Sequence, residues 1–341
     1  MKSDLLSREL FSEEKPLEEH LRPRRLTEYL GQENVKDQLL VFLEATKKRG
    51  DVLDHILLYG PPGLGKTTLA HVVAHELGVG LKVTSGPAIE RPIDLLVVLK
   101  SLKPNDVLFI DEIHRLRRPI EEILYPAMED YVFHRVIQKG LAAAAATISI
   151  PHFTLIGATT RPGLVAPPLR DRFGIVFRLN FYLPEELREI LFRSARILSV
   201  DGEKEALSEI ASRSRGTPRI ANRLLRRVRD FATVSGDGLI TLKLARQSLQ
   251  ALNVDAIGLD DVDRRYLEFL IRRFGGGPVG LETLAGALGE DPETLEEICE
   301  PYLLQQGFLQ RTPRGRTATE VAIRYFEKGL TPMEMNVREV L

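Results

Sequence analysis

At 341 residues, with 43% hydrophobic and 28% charged side chains, the chain is long enough for roughly two to three cores and too apolar to stay disordered. Its 47 Lys+Arg against 48 Asp+Glu leave a net charge of -1, so no global basicity points to nucleic acid, and any such contact must be local. The single cysteine, Cys299, excludes an internal disulfide and a cysteine metal cage and fits a reducing cytoplasm. Apolar runs such as Leu95 to Leu99 fall far short of the ~20 residues of a membrane helix, and the acidic start MKSDLLSRELFSEEKP holds no signal-peptide core. A soluble, cytoplasmic, multidomain protein without membrane contact is expected.

The first 180 or so residues alternate strand-like with helix-like segments. His55 to Tyr59 reads as a short buried strand that runs into Gly60-Pro61-Pro62-Gly63-Leu64-Gly65-Lys66-Thr67, the pattern G-x-x-x-x-G-K-[ST], and Lys66 to Leu77 then reads as a helix. In this strand–loop–helix context the glycines let backbone N–H groups curl around phosphate oxygens, and the helix N-terminus adds its positive end. Lys66 is placed to neutralise the β- and γ-phosphates of ATP, and the Thr67 hydroxyl to join the shell of Mg2+. Leu81 to Gly86 reads as a second strand and Asp106 to Asp111 as a third, ending in Asp111-Glu112. A carboxylate at the tip of a strand beside the P-loop strand suits Mg2+, with Glu112 polarising the attacking water, so the acids argue hydrolysis rather than binding alone.

Phe153 to Thr160 reads as a fourth strand, ending in Thr159 and Thr160, either of which can orient water against the γ-phosphate. Before the fifth strand, Ile175 to Phe181, lies Pro168-Leu169-Arg170-Asp171-Arg172-Phe173. Its two arginines suit either transition-state stabilisation from a neighbouring subunit or a surface ion pair with Asp171. Continuous apolar strands separated by helices predict a parallel sheet covered on both faces, hence an α/β fold.

Beyond Pro184 the strand signals stop. Four helical patterns follow, and the one opening at Gly216-Thr217-Pro218-Arg219 places an arginine at a helix start, suited to reach over phosphates as a lid or simply exposed. From about residue 256 a helix over Arg264 to Phe274, the turn Gly275 to Pro278, the helix LETLAGAL and the longer TLEEICEPYLLQQG precede two short β-like pieces, FLQRT and RTATE. Three helices and a ribbon predict a winged helix. Between Asp260 and Lys328 stand 13 acids and 9 Lys+Arg, a net of -4, yet Arg311, Arg314 and Arg316 fall together at the ribbon turn with no acid among them. Guanidiniums there suit DNA phosphates, contacts that position without reading sequence.

The series GPPGLGKT, LFIDEIHRL, LIGATTR, PLRDRFG and GTPR resembles the AAA+ ATPases. The stretches LRPRRLTEYLGQ (Leu21 to Gln32), AMEDYVF (Ala127 to Phe133), RGTPRIANRLLRRVRD (Arg215 to Asp230) and GGGPVGLETLA, with EEICEPYLLQQGFLQRTPRGR, resemble the RuvB family, the bacterial Holliday-junction branch-migration motors. That resemblance runs from about residue 17 to 327. It implies an AAA+ core with a parallel sheet over 1–182, a helical lid over 183–256 and a winged helix over 257–330, followed by a tail over 331–341.

By the same resemblance Leu21 and Arg22 hold the adenine and ribose. Gly63, Lys66, Thr67 and Thr68 form the phosphate loop, and Asp111 and Glu112 are the metal-proximal acid and the catalytic base. Thr160, or Thr159, senses the γ-phosphate. Glu129, Asp130 and Tyr131 belong to the nucleotide site, Arg170 or else Arg172 is the trans-acting finger, Tyr182 packs on the base, and Arg219 is the second sensor. Arg311 and Arg316 become DNA contacts. A ring, expected to be a hexamer, would act on Holliday junctions with RuvA and the resolvase RuvC in recombination and repair. RuvA would be engaged by a hairpin at about 131–150, whose arms read as YVFHRVIQKG and TISI. At its expected tip this chain departs from the family, with Leu141 followed by Ala142 to Ala146. The rival expectations are a clamp-loader-like or replication-associated AAA+ protein, and a nucleotide-gated DNA-binding switch, which could dispense with Glu112.

Overall fold

The computed structural model describes residues 19–139, 142–235 and 238–328. The expected tail, 331–341, and Leu141 lie outside the described residues. The chain divides into two compact units, Arg22–Asn180 and Phe181 onward together with the residues up to Leu21.

The first unit is built on five parallel strands, β1 (Ile56–Tyr59), β2 (Leu81–Ser85), β3 (Val107–Asp111), β6 (Thr154–Thr159) and β7 (Ile175–Arg178), in the order β2-β3-β6-β1-β7. Two further strands, β4 (Val132–Lys139) and β5 (Ala142–Ser149), pair only with each other. Burial follows position in the sheet. All six residues of β6 and the first four of β3 are buried, as central strands covered on both faces must be, whereas edge strand β7 alternates buried and exposed. Helices Lys66–Leu77, Pro92–Lys100 and Arg118–Glu129 supply the crossovers. Leu95, Leu99, Leu108, Ile110, Leu124 and Leu155 join in one core.

Two expectations are corrected in this unit. The strand carrying Asp111 is not beside the P-loop strand: β6 lies between them, pairing Ile56 with Ile156 on one side and Val107 with Thr154 on the other. The alanine run forms no hairpin tip. Ala142 to Ala146 lies along β5, paired with Lys139 back to Arg135, because the register set at Val132↔Ser149 carries the ladder through the run.

The second unit holds four amphipathic lid helices, Pro184–Ile197, Lys204–Ser212, Pro218–Ser235 and Leu242–Ala251, closing on Leu187, Leu191, Leu207, Ile210, Leu224, Leu225 and Leu249. Two of them open on proline, whose fixed φ suits a first turn. The winged helix follows: Asp261–Glu268 continuing as a π-turn over Phe269–Arg273, then Leu281–Leu288, then a helical run from Pro292 to Gln305 with a π-turn at Leu295–Cys299. The antiparallel ribbon of β8 (Leu309–Thr312) and β9 (Gly315–Ala318) comes next, and helix Glu320–Lys328, which sequence patterning does not single out, closes the domain. Its core gathers Tyr266, Leu267, Leu270, Leu284, Leu303 and Phe308. The ribbon is tied to the preceding turn by Val279 and Arg316, which exchange both backbone hydrogen bonds at 2.9 and 2.7 Å. Glycine is required at 315, since a Cβ there would sit 2.4 Å from the Val279 carbonyl oxygen.

Within this unit Arg215, just before the Pro218–Ser235 helix, is buried against the winged helix. It donates to the Gly258 carbonyl at 2.7 Å and to the fully buried Asp263, and its guanidinium lies 5.3 Å from the Tyr302 ring centroid.

Candidate active site

The P-loop leaves the C-terminal end of β1 at Gly60, where a Cβ would meet the Leu179 carbonyl oxygen at 2.4 Å, so only glycine fits. Gly63 and Gly65 take positive φ of 81° and 92° and wrap the loop into the start of helix Lys66–Leu77. Lys66 is buried, and its ammonium donates to the carbonyls of Gly60 and Pro61 at 2.7 and 2.9 Å, which holds the charge inside the loop. Thr67 and Thr68 occupy the helix's first turn, half-buried. Tyr29 braces the loop from behind, its hydroxyl donating to the Leu64 carbonyl at 3.5 Å. Nothing local in the sequence points to Tyr29, because it meets the loop across 35 residues.

At the C-terminal end of β3, Asp111 accepts a hydrogen bond from the Glu112 amide at 2.9 Å and makes no ion pair among the described residues. Glu112 takes φ 49°, a left-handed conformation uncommon for a non-glycine residue, and accepts from Arg115 at 3.3 Å. At the end of β6 the two threonines part company. The Thr159 hydroxyl accepts from the Arg161 amide at 2.9 Å and lies 2.9 Å from the His114 Nδ1. The Thr160 hydroxyl oxygen is buried and has no hydrogen-bond partner among the described residues. A buried hydroxyl without a partner is costly, and an incoming phosphate oxygen or water would satisfy it. His114 stands two residues past the acid pair, so the motif LFIDEIHRL carried a signal for it, although its pairing with Thr159 spans 45 residues. P-loop, acids and Thr160 thus share the C-terminal rim of the sheet, where open parallel sheets bind ligands.

The other expected residues of this unit do not join them. Glu129 ends helix Arg118–Glu129, and Tyr131 stacks on His152 with centroids 3.9 Å apart, just ahead of β6. Burial, with Asp51 and Asp54 nearby, raises the Tyr131 hydroxyl above its ordinary pKa. Asp130 caps the helix, its amide donating to the Pro126 carbonyl at 3.0 Å. Arg172 donates to Glu129 at 3.2 Å and to the Pro168 carbonyl at 2.6 Å, and covers the Tyr125 ring at 4.4 Å. Arg170 is exposed and makes neither an ion pair with Asp171 nor any other among the described residues. This group precedes β6 and β7 and so lies on the N-terminal rim, separated from the P-loop by the length of β1, about 13 Å for a four-residue strand. Arg22 also belongs to this unit, with its guanidinium 3.1 Å from the His71 ring.

In the second unit the Leu21 carbonyl accepts from Arg193. Tyr182 is buried, with its amide donating to the Gly216 carbonyl at 2.9 Å, and Arg219 lies half-buried in the first turn of its helix. On the ribbon Arg314 is exposed at the turn. Arg311 and Arg316 are not the free cations that the sequence suggests, since both are ion-paired to Glu300, a fully buried carboxylate.

Hydroxyl and carboxylate oxygens are the hard donors that Mg2+ selects, so Thr67 and Asp111 fit that ion. Loop, acids, parallel sheet and helical lid define a P-loop ATPase of the AAA+ class, here carrying a winged helix. Models of the RuvB P-loop domain, described as that of a Holliday junction DNA helicase, of the RuvB AAA lid and of the RuvB C-terminal winged helix match residues 21–179, 182–255 and 256–327. The Holliday junction branch migration complex subunit RuvB of Dehalococcoides mccartyi (strain CBDB1) is 56% identical over 324 residues, 95% of this chain and 93% of that one. The structure of the Thermotoga maritima RuvB Holliday junction branch migration motor superposes with a TM-score of 0.83 at 52% identity, covering 90% of this chain and 98% of that one. A single-residue variant of the same protein gives 0.83 at 51%, covering 91% and 99%. The chain belongs to the RuvB family of Holliday-junction branch-migration motors, and the clamp-loader-like reading falls away.

Proposed function

We propose that this chain hydrolyses ATP at subunit interfaces of a homo-oligomeric ring, a hexamer, and thereby drives branch migration of Holliday junctions in the cytoplasm. The observation that carries the reading is the division of one catalytic set between opposite rims of one sheet. Loop, acids and Thr160 stand at the C-terminal ends of β1, β3 and β6, while Arg170, exposed and without an ion pair among the described residues, stands at the N-terminal side of β7. A protomer cannot fold its own Arg170 across the sheet, so the arginine serves a neighbour's nucleotide. Arg172, held by Glu129 and Tyr125, is the less available of the two.

Lys66 neutralises the β- and γ-phosphates and the backbone amides of Gly63 to Thr67 cradle them. Thr67 and Asp111 would hold Mg2+, which screens phosphate charge. Glu112 accepts the proton of the attacking water, and Thr160 orients that water with its free hydroxyl. Leu21, Arg22 and Tyr182 contact the base and ribose, Glu129 to Tyr131 line the neighbour's face, and Arg219 reports the γ-phosphate to the lid. Arg311, Arg314 and Arg316 contact duplex phosphates. The hairpin β4–β5 is the surface for RuvA, with RuvC joining the assembled junction. Migration of a synthetic four-way junction, with and without RuvA, is expected with ATP and not with a non-hydrolysable analogue; migration with the analogue would refute the motor.

A further inference from the structure

Arg311 and Arg316 face each other across the β8–β9 ribbon, where like charges directly opposed repel. Beneath them lies Glu300, fully buried at the start of helix Glu300–Gln305. One of its oxygens accepts from Arg316 Nε at 2.9 Å and from the buried Tyr266 hydroxyl at 2.9 Å; the other accepts from Arg311 Nε at 2.6 Å. Burial lowers the Arg316 guanidinium, but its hydrogen bond and charge pairing with Glu300 outweigh this and leave it raised. At the rim, the partly exposed Glu296 reaches the same two guanidiniums at 3.4 and 3.9 Å. The four charges cancel, so an approaching duplex meets no net cation here until one carboxylate gives way. The Glu300 side chain is fully buried, whereas that of Glu296 is 31% exposed.

We propose that Glu300 is the positioning residue of the wing, clamping Arg311 and Arg316 in one fixed arrangement, and that the rim carboxylate Glu296 occupies the place that a duplex phosphate takes when DNA binds. The proposal rests on the reading of these arginines as phosphate contacts. Glu300 orients them through the Nε and Nη2 edges of both guanidiniums, and the phosphate takes the place of the Glu296 carboxylate at Arg311 Nη1 and Arg316 Nη2. A fixed pair of donors loses less side-chain freedom on binding than two free arginines, which is the gain from preorganisation.

The test measures full-length protein binding to a labelled short duplex of arbitrary sequence over a salt series, with Mg2+ and a non-hydrolysable ATP analogue, and thermal melting of every sample. Arg311→Ala with Arg316→Ala should weaken binding by about ten-fold or more and flatten the salt dependence by roughly 0.9 in log–log slope for each phosphate no longer neutralised. Parent-like binding of that variant would refute the wing reading itself. Glu300→Gln keeps the side chain's shape and removes its charge. It should weaken binding by about five- to ten-fold and flatten the same slope. Glu296→Gln should move the other way, tightening binding by about two- to three-fold. Parent-like binding by a folded Glu300→Gln, with the double arginine variant weakened, overturns the positioning role alone. If Glu300→Gln fails to fold, Tyr266→Phe and Glu296→Gln decide: the first should weaken binding, the second tighten it, and a Glu296→Gln variant that binds no tighter overturns the exchange.

Discussion

Glu112 and Thr160 stand just past the ends of β3 and β6, on the C-terminal rim of the sheet. The left-handed backbone at Glu112 turns its carboxylate off the end of β3, where Arg115 holds it at 3.3 Å. Glu112→Gln keeps that volume and removes the proposed base. Turnover should fall by about 10²-fold or more while nucleotide affinity stays within a few-fold, as single-turnover hydrolysis and equilibrium binding would show. A nucleotide-gated switch predicts no dependence on this base, so unchanged turnover would favour it. The threonines make a sharper contrast. Thr159 holds the Arg161 amide and meets His114, so Thr159→Val removes internal hydrogen bonds and should lower stability by about 1 kcal/mol or more. Thr160 has no internal partner to lose. Thr160→Val should melt no lower than the parent yet turn over more slowly, and the reverse pattern on thermal melting and ATPase assays would assign the sensor to Thr159.

At the scale of elements, the central strands were legible because burial on both faces leaves a continuous apolar run; Val107 to Ile110 and Thr154 to Ala158 read that way and are buried. Their order was not legible. Periodicity reports how a strand is covered and not which strand lies beside it, so the insertion of β6 between β1 and β3 emerged only from the pairing. The P-loop octet could be read because its parts are contiguous, whereas Tyr29 and His114 act across 35 and 45 residues. The wing misled for the same reason, since the buried carboxylate that pairs with Arg311 and Arg316 lies 11 and 16 residues upstream of them.

His55, buried between β1, β6 and the end of helix Arg118–Glu129, receives a hydrogen bond from the Leu155 amide on Nδ1 and lies 3.1 Å from the Met128 carbonyl through Nε2, an arrangement that requires the neutral ring. Burial, only partly opposed by the Met128 carbonyl and Asp54, lowers its pKa below 6.5. The unfolded chain therefore takes up this proton first as pH falls, and the stability that neutral His55 supplies is present above pH 6.5 and lost below it. Melting temperatures at pH 7.5 and 5 should differ more for the parent than for His55→Gln. Between lid and winged helix, Arg215→Ala strands the buried Asp263 and should cost about 3–5 kcal/mol in denaturant unfolding. A loss near zero would mean that Asp263 is buried without charge.

For the whole molecule, the proposed trans reading of the two rims of one sheet would make catalytic competence a property of the interface between subunits and not of one chain. A protomer offers its P-loop in one direction and its Arg170 in the other. If Arg170 acts in trans, a subunit lacking it keeps an intact loop and deprives only its neighbour, and a subunit lacking Lys66 keeps an intact finger and fails only in its own site. Neither variant alone should turn over, with the loss for Arg170→Ala falling about 10³-fold or more in the range of known arginine fingers. Mixed in one ring, the two should recover activity wherever an Arg170→Ala subunit's loop faces a Lys66→Ala subunit's arginine. In a randomly mixed ring of equal parts that junction is about one interface in four, so ATPase should peak near the equal mixture at roughly a quarter of the parental rate if sites fire independently. A cis arginine predicts no recovery at any ratio, because every subunit would then lack one half of its own site. Activity plotted against mixing ratio separates the two by shape, a dome against a flat line, and a peak well below a quarter would further show that neighbouring sites must act together.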